Sequence, residues 1–463
     1  MPVRRACSVV LAGAFAVAGL AGCSGSPQVS MCGPPATSPS ASSPPAAYGY
    51  ALDVTTAGRV RWQVPLDAPG SSLQLSPLAV GAVAVFAQAD VLYGLRLADG
   101  HRLWSRATSP DIAGMWRWQN LVVVLSQPGQ STQPGWTGLP LPVLTGLDAS
   151  TGRARWTLRI GEGMGGFYPT ADGGLVIGRG WGVLEVVDMS SGQVRWTRST
   201  QPLPGRAAGP EDASMAAADG AVLIAVNGQL TSYDDRTGQV RWADALMPVQ
   251  LVSGGVVLGG LQASAGLVYV TGAQPGVGWQ STPVLLGVSA ADGRVKWRFV
   301  PSPPGSPDVY ASGLMSVTSS SGGTWQDELD PADGRVRWQV ASAYHAIATP
   351  AGIITGSGSD GTDQISARDT LTGQPRWTAV LTGGWQPPDV GPGQASPALP
   401  VFPAGPLLIV SAAGPDGSDL LTARRMSDGH RAWQVMIPDP VAAPLSAAPG
   451  GLLVYAAPIL KGC

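Results

Sequence analysis

The sequence predicts an all-β fold, a single β-propeller of eight or nine four-stranded blades whose N-terminal and C-terminal strands share one blade. Three observations lead there. Nine times a glycine is followed four residues later by a tryptophan, at Gly58/Trp62, Gly100/Trp104, Gly152/Trp156, Gly192/Trp196, Gly238/Trp242, Gly293/Trp297, Gly334/Trp338, Gly373/Trp377 and Gly429/Trp433. The tryptophans stand 39 to 56 residues apart, the range of a four-stranded propeller unit. Turn formers abound, with Gly 63 and Pro 42, charged residues are only 13%, and no 3.6-residue apolar period is sustained after the first residues. The third observation is the strand phase: the first cassette has only an outer hairpin, and the last segment supplies an inner pair.

From the N-terminus, Arg4 and Arg5 precede an apolar stretch over residues 8–20, the layout of a secretory signal. Leu20-Ala21-Gly22-Cys23 resembles the lipobox of bacterial lipoproteins. That resemblance implies a signal peptide over 1–22, cleavage after Gly22 and a diacylated Cys23. An extracytoplasmic location, anchored to the cell membrane by N-terminal lipid, follows from it. Residues 23–47 then form a Pro/Ser/Ala-rich tether with too few apolar side chains to pack, spanning roughly 25 to 30 Å on average. Of the four cysteines, Cys7 leaves with the signal and Cys23 takes the lipid. In an oxidising compartment the remaining Cys32 and Cys463 are expected to pair, and a propeller brings its two chain ends together.

Within the propeller, residues 48–463, one cassette such as LTGLDASTGRARW reads as a strand, a turn and a short strand ending on the indole. It is a β-hairpin, with glycine supplying positive φ at the reversal. Asp148, Asp188, Asp234, Asp330 and Asp369 each lie eight residues before a tryptophan, where a carboxylate caps the turn. Trp62, Trp104, Trp156, Trp196, Trp242, Trp297, Trp338, Trp377 and Trp433 are expected as wedges between blades, each burying roughly 150 to 250 Å². The residue before the tryptophan is basic in seven cassettes, at Arg61, Arg155, Arg195, Arg241, Lys296, Arg337 and Arg376. Strand alternation directs these side chains away from the tryptophan face, to solvent or across a blade seam.

The long intervals locate insertions. Residues 126–141 and 273–282 fall between second and third strands, and 381–397 and 302–307 between blades, all on one predicted face. Three tryptophans outside the cassette, Trp136, Trp279 and Trp385, sit in these Gly/Pro-rich loops. An aromatic on a loop carried by a rigid scaffold suits recognition, and equally suits pinning its own loop.

The segments LDASTGRARW, VDMSSGQVRW and YDDRTGQVRW resemble the repeat of the quinoprotein-like, or PQQ-repeat, β-propeller superfamily. That superfamily includes quinone-dependent dehydrogenases, assembly scaffolds of the outer-membrane barrel machinery and extracellular sensor domains, generally with seven or eight blades. The dehydrogenases hold Ca²⁺ with acidic and amide ligands beside a catalytic Asp, and many have adjacent half-cystines. This chain has no adjacent cysteines, and its three histidines, His101, His345 and His430, form no cluster with metal spacing. No catalytic residue, metal ligand or cofactor is therefore assigned, PQQ and Ca²⁺ included. The net charge of -2 and the lack of a basic stripe argue against a nucleic-acid partner. The expected function is a lipid-anchored scaffold or sensor binding an envelope or membrane protein, without catalysis. A PQQ-dependent dehydrogenase and a glycan- or polymer-binding propeller are the alternatives.

Overall fold

The computed structural model describes residues 47–456 apart from 55–57, 67–74, 89, 109–111, 128–140, 162–163, 180–182, 200–212, 219, 227–228, 246–260, 265, 276–280, 301–304, 310–313, 320–323, 343–346, 350–351, 360–361, 382–400, 414–417, 439–440, 442–444 and 450. Among the described residues the chain forms nine antiparallel sheets of four strands each, and no helix. Blades one to eight occupy 78–107, 112–159, 164–199, 213–245, 261–299, 305–342, 347–380 and 401–437, each a simple meander. The ninth unites Ser446–Ala448 and Gly451–Ala456 with Ala47–Asp53 and Val60–Leu66. Ala47–Asp53 pairs antiparallel with Gly451–Ala456 from Tyr48↔Ala456 to Asp53↔Gly451. The blade number left open by the sequence is nine, and the first and last segments complete one sheet.

The outer hairpin shows how sequence makes each blade. In blade two, Val143–Asp148 turns into Ala154–Arg159. Gly152, at φ 67°, occupies a backbone region that costs a non-glycine residue about 1–2 kcal/mol. Its N–H donates to the Asp148 carbonyl at 2.8 Å, and the Asp148 N–H donates to the Arg153 carbonyl at 2.9 Å. Oδ1 of Asp148 accepts from the N–H groups of Ser150 and Thr151, each at 3.1 Å, so one carboxylate oxygen satisfies the turn donors.

Two residues later the ladder shifts. Leu147 faces Ala154 while Gly146 faces Trp156, leaving Arg155 as the extra residue of a β-bulge. Every outer hairpin has this shift at the residue before its tryptophan. The bulge breaks the two-residue alternation at the basic residue, and Arg61, Arg155, Arg241, Lys296, Arg337 and Arg376 remain exposed.

Each seam between blades is built alike. The Trp104 indole Nε1 donates to Ala149 O of the next blade at 2.8 Å, and that of Trp156 to Met189 O at 3.1 Å. The acceptor is always the carbonyl of the residue after the turn-capping position, through Trp196 with Asp235 and Trp377 with Met426 to Trp433 with Val54. The same indole lies over the turn glycine of the following blade, and a Cβ on Gly152 would stand 2.6 Å from Trp104 Cδ2. Only glycine admits that approach. Apolar side chains fill the seams: nine buried clusters each join two neighbouring blades, the largest around Tyr50, Ile409 and Trp433. The cores lie between sheets, and the propeller is the closed ring of those cores.

Candidate functional site

Because the strands of each blade alternate in direction, the ring has two unlike faces. One carries the second-to-third-strand loops and the blade-to-blade connections. The loop containing Trp136 leaves blade two after Leu121–Ser126 and returns at Val143–Asp148, and the one containing Trp279 joins Leu267–Pro275 to Ser281–Ser289 in blade five. Trp385 belongs to the connection from Pro375–Val380 to Val401–Ala404. All three connections therefore start from the same face. Trp136, Trp279 and Trp385 themselves lie outside the described residues, as do Cys23, Cys32 and Cys463. Two loop limits need correction. Ladder pairing runs from Leu267↔Ser289 to Pro275↔Ser281, so the blade-five loop is 276–280 and not 273–282. Likewise Gly305–Val309 is a strand, which removes 305–307 from the predicted 302–307 insertion.

The opposite face carries the first-to-second and third-to-fourth-strand turns. Here the basic residue before the tryptophan folds back onto its own turn. Arg155 Nη2 lies 2.8 Å from Asp148 Oδ2, Arg241 Nη2 2.8 Å from Asp234 Oδ2, and Arg376 Nη2 2.6 Å from Asp369 Oδ2. One aspartate oxygen caps the turn and the other takes the guanidinium. Sequence reasoning sent these arginines to solvent or a seam; their side chains are solvent-exposed, and what it did not foresee is their pairing with the turn aspartate. The constant seven-residue interval from Asp148 to Arg155, and from Asp234 to Arg241, was the available signal.

Blade three extends the pair into a network. Arg195 reaches Asp188 at 2.8 Å and Asp172 at 2.7 Å, and Arg236 of blade four also reaches Asp172, at 3.3 Å. Burial opposes ionisation of Asp172, yet the Thr170 hydroxyl and Arg195 outweigh it and bring its pKa down to about 2. Donation by Ser150 and then Arg155 holds the Asp148 carboxyl well below the usual carboxylate range. Arg376, helped by the Thr372 and Leu371 N–H groups, lowers Asp369 to about 2. These carboxylates are ionised and fully engaged by their own turns.

Blade six departs from the pattern. Its third strand, Thr324–Leu329, buries Gln326, Asp327 and Glu328 to 3% exposure or less. Gln326 stands where other blades have Leu92, Leu144 or Leu184. Glu328 faces Trp338 across the ladder, the position of Gly94 opposite Trp104 and Gly146 opposite Trp156. Burial pushes Glu328 up to about 7 against the opposing charge of Arg337, which is itself committed to Asp330 at 3.2 Å. Sequence reading missed this acid, although a glutamate at a position otherwise small or apolar was visible.

A Ca²⁺ ion asks for six to eight oxygen ligands converging on one point. Among the described residues no group of three or more His, Cys, Asp or Glu side chains could hold a metal ion.

Residues 141–250 match the profile of the family described as outer membrane protein assembly factor BamB. Protein Rv3035 of Mycobacterium tuberculosis (strain ATCC 25618 / H37Rv) is 27% identical over 284 residues, covering 53% of this chain and 64% of that protein. The chain thus spans less than two thirds of that relative's length. Among solved structures, a eukaryotic initiation factor superposes with a TM-score of 0.54 at 9% identity, covering 90% of this chain and 100% of the other. The quinohemoprotein alcohol dehydrogenase from Comamonas testosteroni superposes with a TM-score of 0.43 at 12% identity, over 89% of this chain and 76% of that one.

Proposed function

We propose that this quinoprotein-like repeat propeller is a scaffold or sensor at the cell envelope, held at the membrane by lipid on Cys23, and that it binds an envelope protein without catalysis. The match of residues 141–250 to the assembly-factor family carries the reading. That segment includes the third and fourth strands of blade two and all of blades three and four. The recognition surface is the loop face, from which the connections bearing Trp136, Trp279 and Trp385 start on blades two, five and seven. Aromatic residues on loops carried by a rigid scaffold suit recognition.

The test is affinity capture from envelope extract with the wild-type chain and with Trp136→Ala, Trp279→Ala and Trp385→Ala combined. The triple variant is expected to keep the parental melting temperature and lose the captured protein. Early melting with retained capture would assign these tryptophans to loop packing instead. Cys23→Ser is expected to release the protein from the membrane fraction, and unchanged retention would remove the lipid anchor. Dye-linked dehydrogenase activity after addition of PQQ and Ca²⁺ would replace the scaffold by an oxidoreductase, and selective glycan binding would replace it by a polymer-binding propeller.

A further inference from the structure

The turn face is cationic and carries exposed apolar side chains between its cations. Over the whole chain acidic residues outnumber basic ones, 30 to 28. On the turn face the balance reverses: among the described residues, lysine and arginine outnumber aspartate there, and glutamate is absent. Its turn-cap aspartates are occupied by N–H groups and by the arginine at the bulge, while Asp99, Asp292, Asp333 and Asp428, each just before a turn glycine, pair with Arg96, Arg294, Arg335 and Arg425. The outward charge comes from the residue after the turn glycine, which is Arg59, Arg153, Arg294 or Arg335 in four cassettes, His101 or His430 in two, and never acidic. Arg59 and Arg153 are exposed, and the side chains of Arg294 and Arg335 are 85% and 86% exposed.

The next residue is valine in five cassettes, and Val60, Val194, Val240, Val295 and Val336 are 40 to 57% exposed. Val60 stands between Arg59 and Arg61, Val295 between Arg294 and Lys296, and Val336 between Arg335 and Arg337. Each of these valines opens a fourth strand, where a β-branched residue is favoured, and each leaves a large part of its side chain in water.

We propose that this face docks on a bilayer surface rich in anionic phospholipid, with the arginines on the headgroups and the valines at the boundary with the acyl chains. An anionic interface supplies a partner for both components, since cations near such a surface are attracted and apolar side chains gain by leaving water. The arginines lie on blades two, five, six and nine and the valines on blades three, four, five, six and nine, an arc spread over several blades that suits an extended surface. The docking face is opposite the loop face, so this inference does not depend on the protein-binding reading above, and both contacts can be held at once.

The test uses the chain carrying Cys23→Ser, so that no acyl group contributes, in sedimentation with vesicles of phosphatidylcholine alone or mixed with phosphatidylglycerol. Binding is expected only with phosphatidylglycerol and is expected to weaken as salt is raised. The comparison variant combines Arg59→Gln, Arg153→Gln, Arg294→Gln and Arg335→Gln. Glutamine already occupies this position as Gln193, Gln239 and Gln374, so the fold tolerates it and the melting temperature should not move. Vesicle affinity should fall about tenfold or more. Val240→Ser with Val336→Ser should weaken the binding that survives high salt. Equal binding to both vesicle types, no binding to either, or an unaltered glutamine variant would overturn the proposal. Capture by soluble polyglutamate without vesicle binding would also overturn it, in favour of an acidic soluble partner.

Discussion

The indole Nε1 of Trp433 donates to the carbonyl oxygen of Val54 at 3.3 Å, across 379 positions of sequence. Its ring also lies over Gly58, where an added Cβ would stand 2.2 Å from Trp433 Cε3. The last cassette thereby grips the first with the contact used at every other seam. Replacing Trp433 by Ala removes a side chain that is 8% exposed, and a loss of about 3–5 kcal/mol is expected in chemical denaturation. Trp196→Ala should cost a similar amount, because its seam is built the same way. A Trp433→Ala variant as stable as the parent would show that closure does not rest on this contact.

Gly238 and Gly266 both have positive φ, 66° and 76°, but their surroundings differ. A Cβ on Gly238 would stand 2.6 Å from Trp196 Cδ2, whereas one on Gly266 meets nothing within 4 Å. Gly266→Ala is expected to cost only the backbone strain, about 1–2 kcal/mol. Gly238→Ala adds displacement of the indole and should be the more damaging by at least about 1–3 kcal/mol. Equal midpoints in a denaturant titration would contradict the close seam packing.

Glu328 gives the ring an alkaline sensitivity. Its pKa is raised by burial to about 7, so the folded state binds the proton more tightly than the unfolded chain. The associated stability is complete below the ordinary glutamate range and is lost as pH rises through about 7. Described charged and titratable groups near it are Arg337 and the adjacent buried Asp327 on its own blade, whose pKa burial also raises, and Tyr269 of blade five. Glu328→Gln should flatten the fall in melting temperature between pH 5 and 8 that the parent shows. An identical slope in both proteins would assign the sensitivity elsewhere.

The turn carboxylates act with the opposite sign. Asp172 is lowered to about 2, so its contribution is present above the ordinary aspartate range and disappears as pH falls through about 2. Asp172→Asn breaks the contacts with Arg195 and Arg236 and should lower the melting temperature at pH 7, with the difference from the parent shrinking as the solution is acidified. A deficit that stays constant down to acid denaturation would mean that the charge of Asp172 is not what stabilises this turn.

Peptide mapping without reduction is expected to link Cys32 to Cys463 in exported protein. Recovery of both as free thiols would refute the pairing.

Much of the fold was legible because the backbone dictates residue identity at the cassette. Gly152 must be glycine both for its φ and for Trp104 above it, and Asp148 must offer two acceptor oxygens to its turn. Such constraints leave a literal signature. The pairing of Arg155 with Asp148 was not legible, because alternation presumes a regular ladder and the bulge at this residue breaks it. Glu328 was hidden for another reason: TWQDEL reads as a polar strand, and only the packing of blade six buries it. The face bearing Trp136, Trp279 and Trp385 followed from strand direction once the meander was assumed.

The ninth sheet has a mechanical consequence. Tyr48 pairs directly with Ala456, so the two chain ends leave the ring at adjacent points of one antiparallel pair. A pull applied between them would part the ladder one rung at a time, the weakest way to load a sheet, instead of shearing all rungs together. A covalent link between the segments beyond Tyr48 and Ala456 would carry that load and spare the zipper, so a protein pulled at both ends would keep its ring free of tension.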